Sequence, residues 1–118
     1  MQLALQQYRV DVFKVMAHPL RLQIVELLCE GPKGVNELQS RLQSQGSVVS
    51  QHLGILKAKH LVIGMKVGTR VVYSVQDLLL CDLLFMTKNM FNNQLMSVID
   101  ILDTGTHEQQ GSDRKCKE

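Results

Sequence analysis

The apolar and polar positions divide this chain into helical segments, one pair of short strands and a polar end. Between residues 47 and 60, Val49, Leu53, Leu56 and His60 recur at i, i+4, i+7 and i+11. That is the stripe of a helix with one face toward a core. At about 100° per residue, Ser47, Gln51, Gly54 and Ala58 fall on the opposite face. This outer face is small, polar and free of acid. It can enter a major groove without clash and offer hydrogen-bonding groups to base edges. Taken alone, the same pattern also describes an ordinary amphipathic surface helix.

The flanking segments favour the DNA-reading alternative. Val10, Phe13 and Met16 stand at helical spacing in a first helix over about residues 3–17. His18-Pro19 breaks it, and proline suits the first turn of the next helix, where its missing N–H costs nothing. That second helix spans about residues 19–29, with Leu20, Ile24, Leu27 and Leu28 as its buried stripe and Gly31-Pro32 as its stop. A short helix over 35–42 buries Val35, Leu38 and Leu42. Gln43-Ser44-Gln45-Gly46 then turns the chain, with Ser44 or Gln45 near the next N-cap. Two short helices joined this way make a helix-turn-helix, its second helix ending near His60.

Residues 61–67 and 70–75 are rich in Val, Ile, Met and Tyr and read as two strands around Gly68-Thr69. A hairpin directly after a recognition helix is the wing of a winged helix. Lys66 and Arg70 flank its tip, where they can reach phosphates or a minor groove. As edge-strand cations they would also block aggregation. From about 77 to 102 the chain is most apolar, with Met90, Phe91, Leu95, Met96, Ile99 and Leu102 at spacings of three and four. A helix apolar on more than one face needs cover on more than one side, and a chain this short has little to spare. The expected fold is therefore mainly α with a small β-hairpin: a winged helix-turn-helix that forms a homodimer through its first and last helices. Val10, Phe13, Leu80, Leu84, Phe85 and Phe91 are the interface candidates. Residues 1–103 form the domain, and the aperiodic polar residues 104–118 are expected to be a disordered tail.

Charge sharpens the picture. From Leu38 to Gln76 there is no Asp or Glu, while Arg41, Lys57, Lys59, Lys66 and Arg70 lie within that stretch. A basic surface around an uncharged helix face suits a polyanion such as double-stranded DNA. Ser47, Val48, Ser50, Gln51, His52, Lys57, Lys66 and Arg70 are thus the DNA-binding candidates. The 118 residues, 45% of them hydrophobic, fit one globular domain. The longest apolar run is too short to cross a bilayer and no signal-peptide pattern opens the chain, so the expected location is cytoplasmic. No nucleophile elbow, phosphate-binding glycine loop or His-Glu-x-x-His occurs. The expectation is a non-enzyme without cofactor.

Two stretches resemble the ArsR/SmtB family of bacterial winged-helix repressors. Ala17-His18-Pro19-Leu20-Arg21-Leu22-Gln23-Ile24 is similar to the family's A-x-P-x-R-L-x-I, and Val49-Ser50-Gln51-His52-Leu53 with Leu56 to its V-S-Q-H-L-x-x-L. Gly68, Arg70 and Tyr73 resemble its wing pattern; Gly46 departs from it, standing where the family often carries a polar side chain. The resemblance covers about residues 8–100. It implies a homodimer that binds an operator palindrome and leaves it when an effector arrives.

The family's metal sites do not carry over. Val35-Asn36-Glu37-Leu38 lacks the Cys-x-Cys of the third-helix site. Asp77 matches the start of the last-helix site, but its later ligand positions fall near Leu79, Met90 and Asn93, none of which replaces an imidazole or carboxylate on zinc. No metal ligands are assigned. Sulfur remains. Some family members sense persulfides or oxidants through cysteines on the second and last helices, which makes Cys29 and Cys81 candidates for thiol sensing. The other readings are two buried thiols acting as small hydrophobes, or an arsenite site completed by Cys116 from the tail. The rival to operator binding is a winged helix used only as a protein-interaction module.

Overall fold

The computed structural model describes residues 1–104. Its elements are α1 (Gln2–Met16), α2 (Pro19–Cys29), β1 (Lys33–Gly34), α3 (Val35–Leu42), α4 (Gly46–Ala58), β2 (Val62–Val67), β3 (Arg70–Val75) and α5 (Leu79–Thr104). The chain divides into two units, Met1–Asp82 and the remainder from Leu83.

In the first unit, α2 is central and packs on α1, α3, α4 and β3. His18 caps it, its Nδ1 accepting from the Leu20 N–H at 3.1 Å with Pro19 in the first turn. Because α2 is covered on several sides, its buried residues are Ile24, Val25 and Leu28. Leu20 and Leu27, expected in the stripe, are half-buried, and Val25 joins the core instead. Leu38 of α3 and Val49, Leu53 and Leu56 of α4 complete the centre, all at most 1% exposed. Each such side chain contributes about 1.5–3 kcal/mol by leaving water.

His60, expected to extend the α4 stripe, lies outside the helix. It is exposed and left-handed, at φ 61°. Helix α4 stops at Ala58, and the chain must turn there to enter β2. At the other end α4 begins one residue before Ser47, at Gly46. A Cβ on Gly46 would stand 2.8 Å from Gln39 Oε1, so α3 and α4 meet where the side chain is missing.

The wing is a three-stranded antiparallel sheet ordered β1-β3-β2, with Lys33 opposite Tyr73 and Val67 opposite Arg70. Gly68 turns it at φ 65°. β1 is the one element the apolar pattern does not signal, since two residues carry no period. It sits beside the end of α2, where Glu30 pairs with Lys33 at 3.5 Å and Arg41 at 3.3 Å. The neighbouring Arg41 guanidinium holds the Glu30 carboxyl below its ordinary range.

Helix α5 opens with the Asp77 carboxylate accepting from the Leu79 N–H at 2.9 Å. It starts two residues later than the apolar run suggests and ends two residues later, at Thr104. Leu80 and Leu84 are buried, whereas Phe85, Met86, Met90 and Phe91 are exposed. On α1, Val10 and Phe13 are exposed as well, and Val15 and Met16 are buried. Of the expected tail, Thr104 lies in α5; residues 105–118, Cys116 among them, fall outside the described residues.

Leu53→Ala should lower stability by about 2–5 kcal/mol, because the site is walled by packed helices and collapses poorly. Gln51→Ala, on the exposed face of the same helix, should leave the melting temperature within about 2 °C of the parent. Thermal unfolding of the two variants checks the pair.

Candidate nucleic-acid interface

The buried stripe of α4 orients its outer face. With Val49, Leu53 and Leu56 inward, Ser47, Ser50, Gln51, Gly54 and Lys57 are exposed, and Val48 is half-buried at the rim. The turn before α4 is held by the backbone. Gln43 is left-handed at φ 52°, the Ser44 N–H donates to the Gln39 carbonyl, and the Val48 and Val49 N–H groups donate to the Gln45 carbonyl. Gln45 is the N-cap, with no side-chain capping bond, so the polar side chains of the turn are spared for other partners.

On α3 and the turn that leads into α4 lies an open polar depression lined by Asn36, Gln39, Ser40, Gln43, Ser44 and Gln45. Only the turn part of this group stood out in the sequence, as polar turn residues. The α3 members Asn36, Gln39 and Ser40 stand at i, i+3 and i+4, one face of that helix, and the turn residues extend it. Amide and hydroxyl groups of this kind suit phosphate and sugar contacts.

The wing cations differ. Lys66 is exposed at the tip. Arg70 folds back over β1, its Nη2 standing 2.8 Å from where a Gly34 Cβ would be, so Gly34 makes room for it.

His52 does not share the face of Ser47, Ser50 and Gln51. It is half-buried and turned toward the start of α2, its ring 4.5 Å from that of His18 and its Nδ1 3.4 Å from Arg21 Nη1. Arg21 Nε in turn donates to the Val15 carbonyl at 2.7 Å. The motif residues His18, Arg21 and His52 thus tie the end of α1, the start of α2 and the middle of α4 together. Burial, and then the neighbouring His18 and Arg21 charges, lower the His52 pKa from its ordinary 6.5.

Cys29, at the end of α2, and Cys81, in the first turn of α5, form a disulfide with Cα atoms 5.9 Å apart. Both are half-buried. The reading of two buried, unpaired thiols is therefore replaced by a covalent bridge. Among the described residues no group of three or more His, Cys, Asp or Glu could hold a metal ion, and no helix is long and apolar enough to cross a membrane.

A short helix-turn-helix with an exposed, acid-free second helix, followed by a β-wing, defines a winged helix of the DNA-binding class. Residues 18–63 match the family model described as bacterial regulatory protein, arsR family. The chain is 30% identical over 100 residues to the uncharacterized HTH-type transcriptional regulator Rv0081 of Mycobacterium tuberculosis, covering 84% of this chain and 88% of that one. The chain belongs to the ArsR family of winged helix-turn-helix transcriptional regulators. The crystal structure of Rv0081 superposes with a TM-score of 0.72, covering 80% of this chain and 96% of that one. The HTH-type transcriptional repressor SmtB of Mycobacterium tuberculosis is 39% identical over 67 residues, which is 57% of this chain and 50% of that protein. A homodimeric winged helix-turn-helix DNA-binding domain, Mb0332 from Mycobacterium bovis, superposes with a TM-score of 0.68 at 25% identity, over 92% of this chain and 94% of that one.

The His52 environment sets a pH dependence. A histidine whose pKa is depressed on folding stays neutral where the unfolded chain has taken up a proton, so stability is lost as pH falls through about 6.5 and is insensitive above it. His52→Gln, which keeps an acceptor for Arg21 without titrating, should flatten the fall in melting temperature between about pH 7 and 5. An equally steep fall in the variant would assign the effect to other groups.

Proposed function

We propose that the protein represses transcription by binding an operator as a homodimer, with α4 in the major groove. The observation that carries this reading is the outer face of α4, where Ser47, Ser50 and Gln51 are exposed in a stretch without acids. Gln51 is the base reader, since its amide can pair bidentately with adenine. Val48 and Lys57 flank it, Lys66 supplies phosphate contacts from the wing tip, Arg70, exposed though folded back over Gly34, adds positive charge beside it, and His52 positions α4 from behind. Dimerisation runs through the exposed apolar side chains of α1 and α5, Val10, Phe13, Phe85 and Phe91; Leu80 and Leu84, buried within the subunit, back them from inside. The homodimeric state of Mb0332 supports dimer formation as such. A dimer presents two such helices to a palindrome, and the whole action is binding, with no catalytic step and no cofactor. The polar depression of α3 adds backbone contacts.

Gln51→Ala should weaken binding to the protein's own promoter by about 1–3 kcal/mol, and binding to random duplex by less. Titration of both duplexes at fixed salt measures the difference. Equal losses would remove the base-reading role, and salt-insensitive or absent DNA binding would favour the protein-interaction module.

Release is proposed to be thiol-based. Cys29 and Cys81 as free thiols lose two electrons and two protons to an oxidant such as a peroxide or a polysulfide, forming the bridge between α2 and the start of α5. Closing a loop of 52 residues restrains the unfolded chain by about 4 kcal/mol in the chain-entropy account. It also locks the spacing of two helices, one of which holds the reading head. Oxidised and reduced protein should differ about 5–150-fold in operator affinity, and Cys29→Ser with Cys81→Ser should abolish the difference. A double variant that still responds to oxidant would place the sensor elsewhere.

A further inference from the structure

The C-terminal end of α4 carries a feature that DNA reading does not require. The His60 N–H donates to the Lys57 carbonyl and the Leu61 N–H to the Leu56 carbonyl, both at 3.0 Å, closing the helix through a left-handed residue. Glycine is the usual occupant of that position, because a Cβ is strained there. Here the residue is histidine, at φ 61°. Histidine tolerates the left-handed region better than most side chains, yet still at a cost that glycine would avoid.

The His60 side chain lines a cavity of about 240 Å³, to which the inner face of α1 contributes Tyr8, Asp11 and Val12 and the α4–β2 junction Lys59 and Leu61. That volume holds about eight water molecules. Its two charges are loosely paired. Asp11 Oδ2 and Lys59 Nζ are 3.7 Å apart, too far for a hydrogen bond. Asp11 Oδ1 is already held by Gln7 Nε2 at 3.0 Å, leaving Oδ2 to Lys59.

We propose that this cavity is an effector site for a small apolar α-amino acid, resting on the reading that the chain binds operator DNA. The ligand ammonium replaces Lys59 at Asp11 Oδ2. The released Lys59 Nζ and the His60 imidazole take the ligand carboxylate, and the apolar side chain covers Val12 and Leu61 beside the Tyr8 ring. A simple anion would draw Lys59 away and leave Asp11 uncompensated; a simple cation would do the reverse. A zwitterion satisfies both charges at once. Position favours regulation. On α1, Tyr8, Asp11 and Val12 lie opposite the exposed apolar residues Leu3, Val10 and Phe13, so pairing through the apolar stripe leaves the cavity on the other side of the helix. A bound ligand would clamp the end of the reading helix to the helix proposed for dimerisation.

Calorimetry on the full chain without DNA tests the site, using L-leucine and L-phenylalanine against analogues lacking the carboxylate (isoamylamine and phenethylamine) and analogues lacking the amine (4-methylpentanoate and 3-phenylpropanoate). At least one amino acid should bind, the single-charge analogues about tenfold or more weakly, and Asp11→Asn and Lys59→Gln should each cost about tenfold. His60→Gly is the sharper variant. It should weaken amino-acid binding while raising the melting temperature by about 4 °C through relief of the left-handed strain, and a purely structural His60 would give the second effect without the first. The proposal is overturned if neither amino acid binds, if the single-charge analogues bind equally, or if the variants bind as the parent does. With operator duplex present, the amino acid should change DNA affinity by about 5–150-fold. Ligand binding without that change overturns the effector role. Failure of the ligand-free protein to bind duplex DNA instead overturns the operator reading on which that role rests.

Discussion

The arrangement of this protein depends on the burial of one helical stripe. Val49, Leu53 and Leu56 of α4 pack inward with Leu38 of α3 and the α2 core, and all are closed to solvent. Because side chains on a helix are fixed at about 100° intervals, anchoring that stripe decides which residues face out. The same burial that stabilises the domain therefore aims Ser47, Ser50 and Gln51. A rigid inner face and a small polar outer face are two consequences of one periodicity.

A second set of contacts fixes α4 in place. His18 caps α2 and packs at a tilt against the His52 ring, while Arg21 joins His52 to the end of α1. These residues have polar parts that must be satisfied at partial burial, and they satisfy one another. The result is a junction of three helices, sensitive to protonation because burial and the neighbouring charges lower the His52 pKa. The Cys29–Cys81 bridge forms a second junction, between the far end of α2 and the start of α5. Helix α2 is thus tied at one end to the reading helix and at the other to the helix that carries the exposed apolar residues. That gives the proposed thiol chemistry a mechanical route to the outer face of α4 proposed to meet DNA.

Much of this was legible in the chain itself. Helix and strand types follow from periodicity, and most boundaries follow from local chemistry: Pro19 at a first turn, Gly68 in a tight hairpin, the polar turn before α4. The acid-free middle marked the surface for a polyanion, and two short motifs marked the family. Strand β1 was not legible, because a two-residue strand exists only through its partner β3. The inward turn of His52 was not either; its position on the helix is intermediate, and only the presence of His18 and Arg21 on α2 decides its direction.

The sequence by itself determined the order of elements, the buried stripe of α4 and the charge of the region around it, since these rest on local propensity, periodicity and composition. The tertiary structure decided what brings distant residues together. It joined Cys29 to Cys81 across 52 positions, folded Arg70 back over Gly34, brought the polar face of α3 together with the turn before α4, and set His60, Asp11 and Tyr8 around one cavity. Spacing along the chain carries no record of such pairings, because each depends on the angle at which two elements pack and not on the residues within either one.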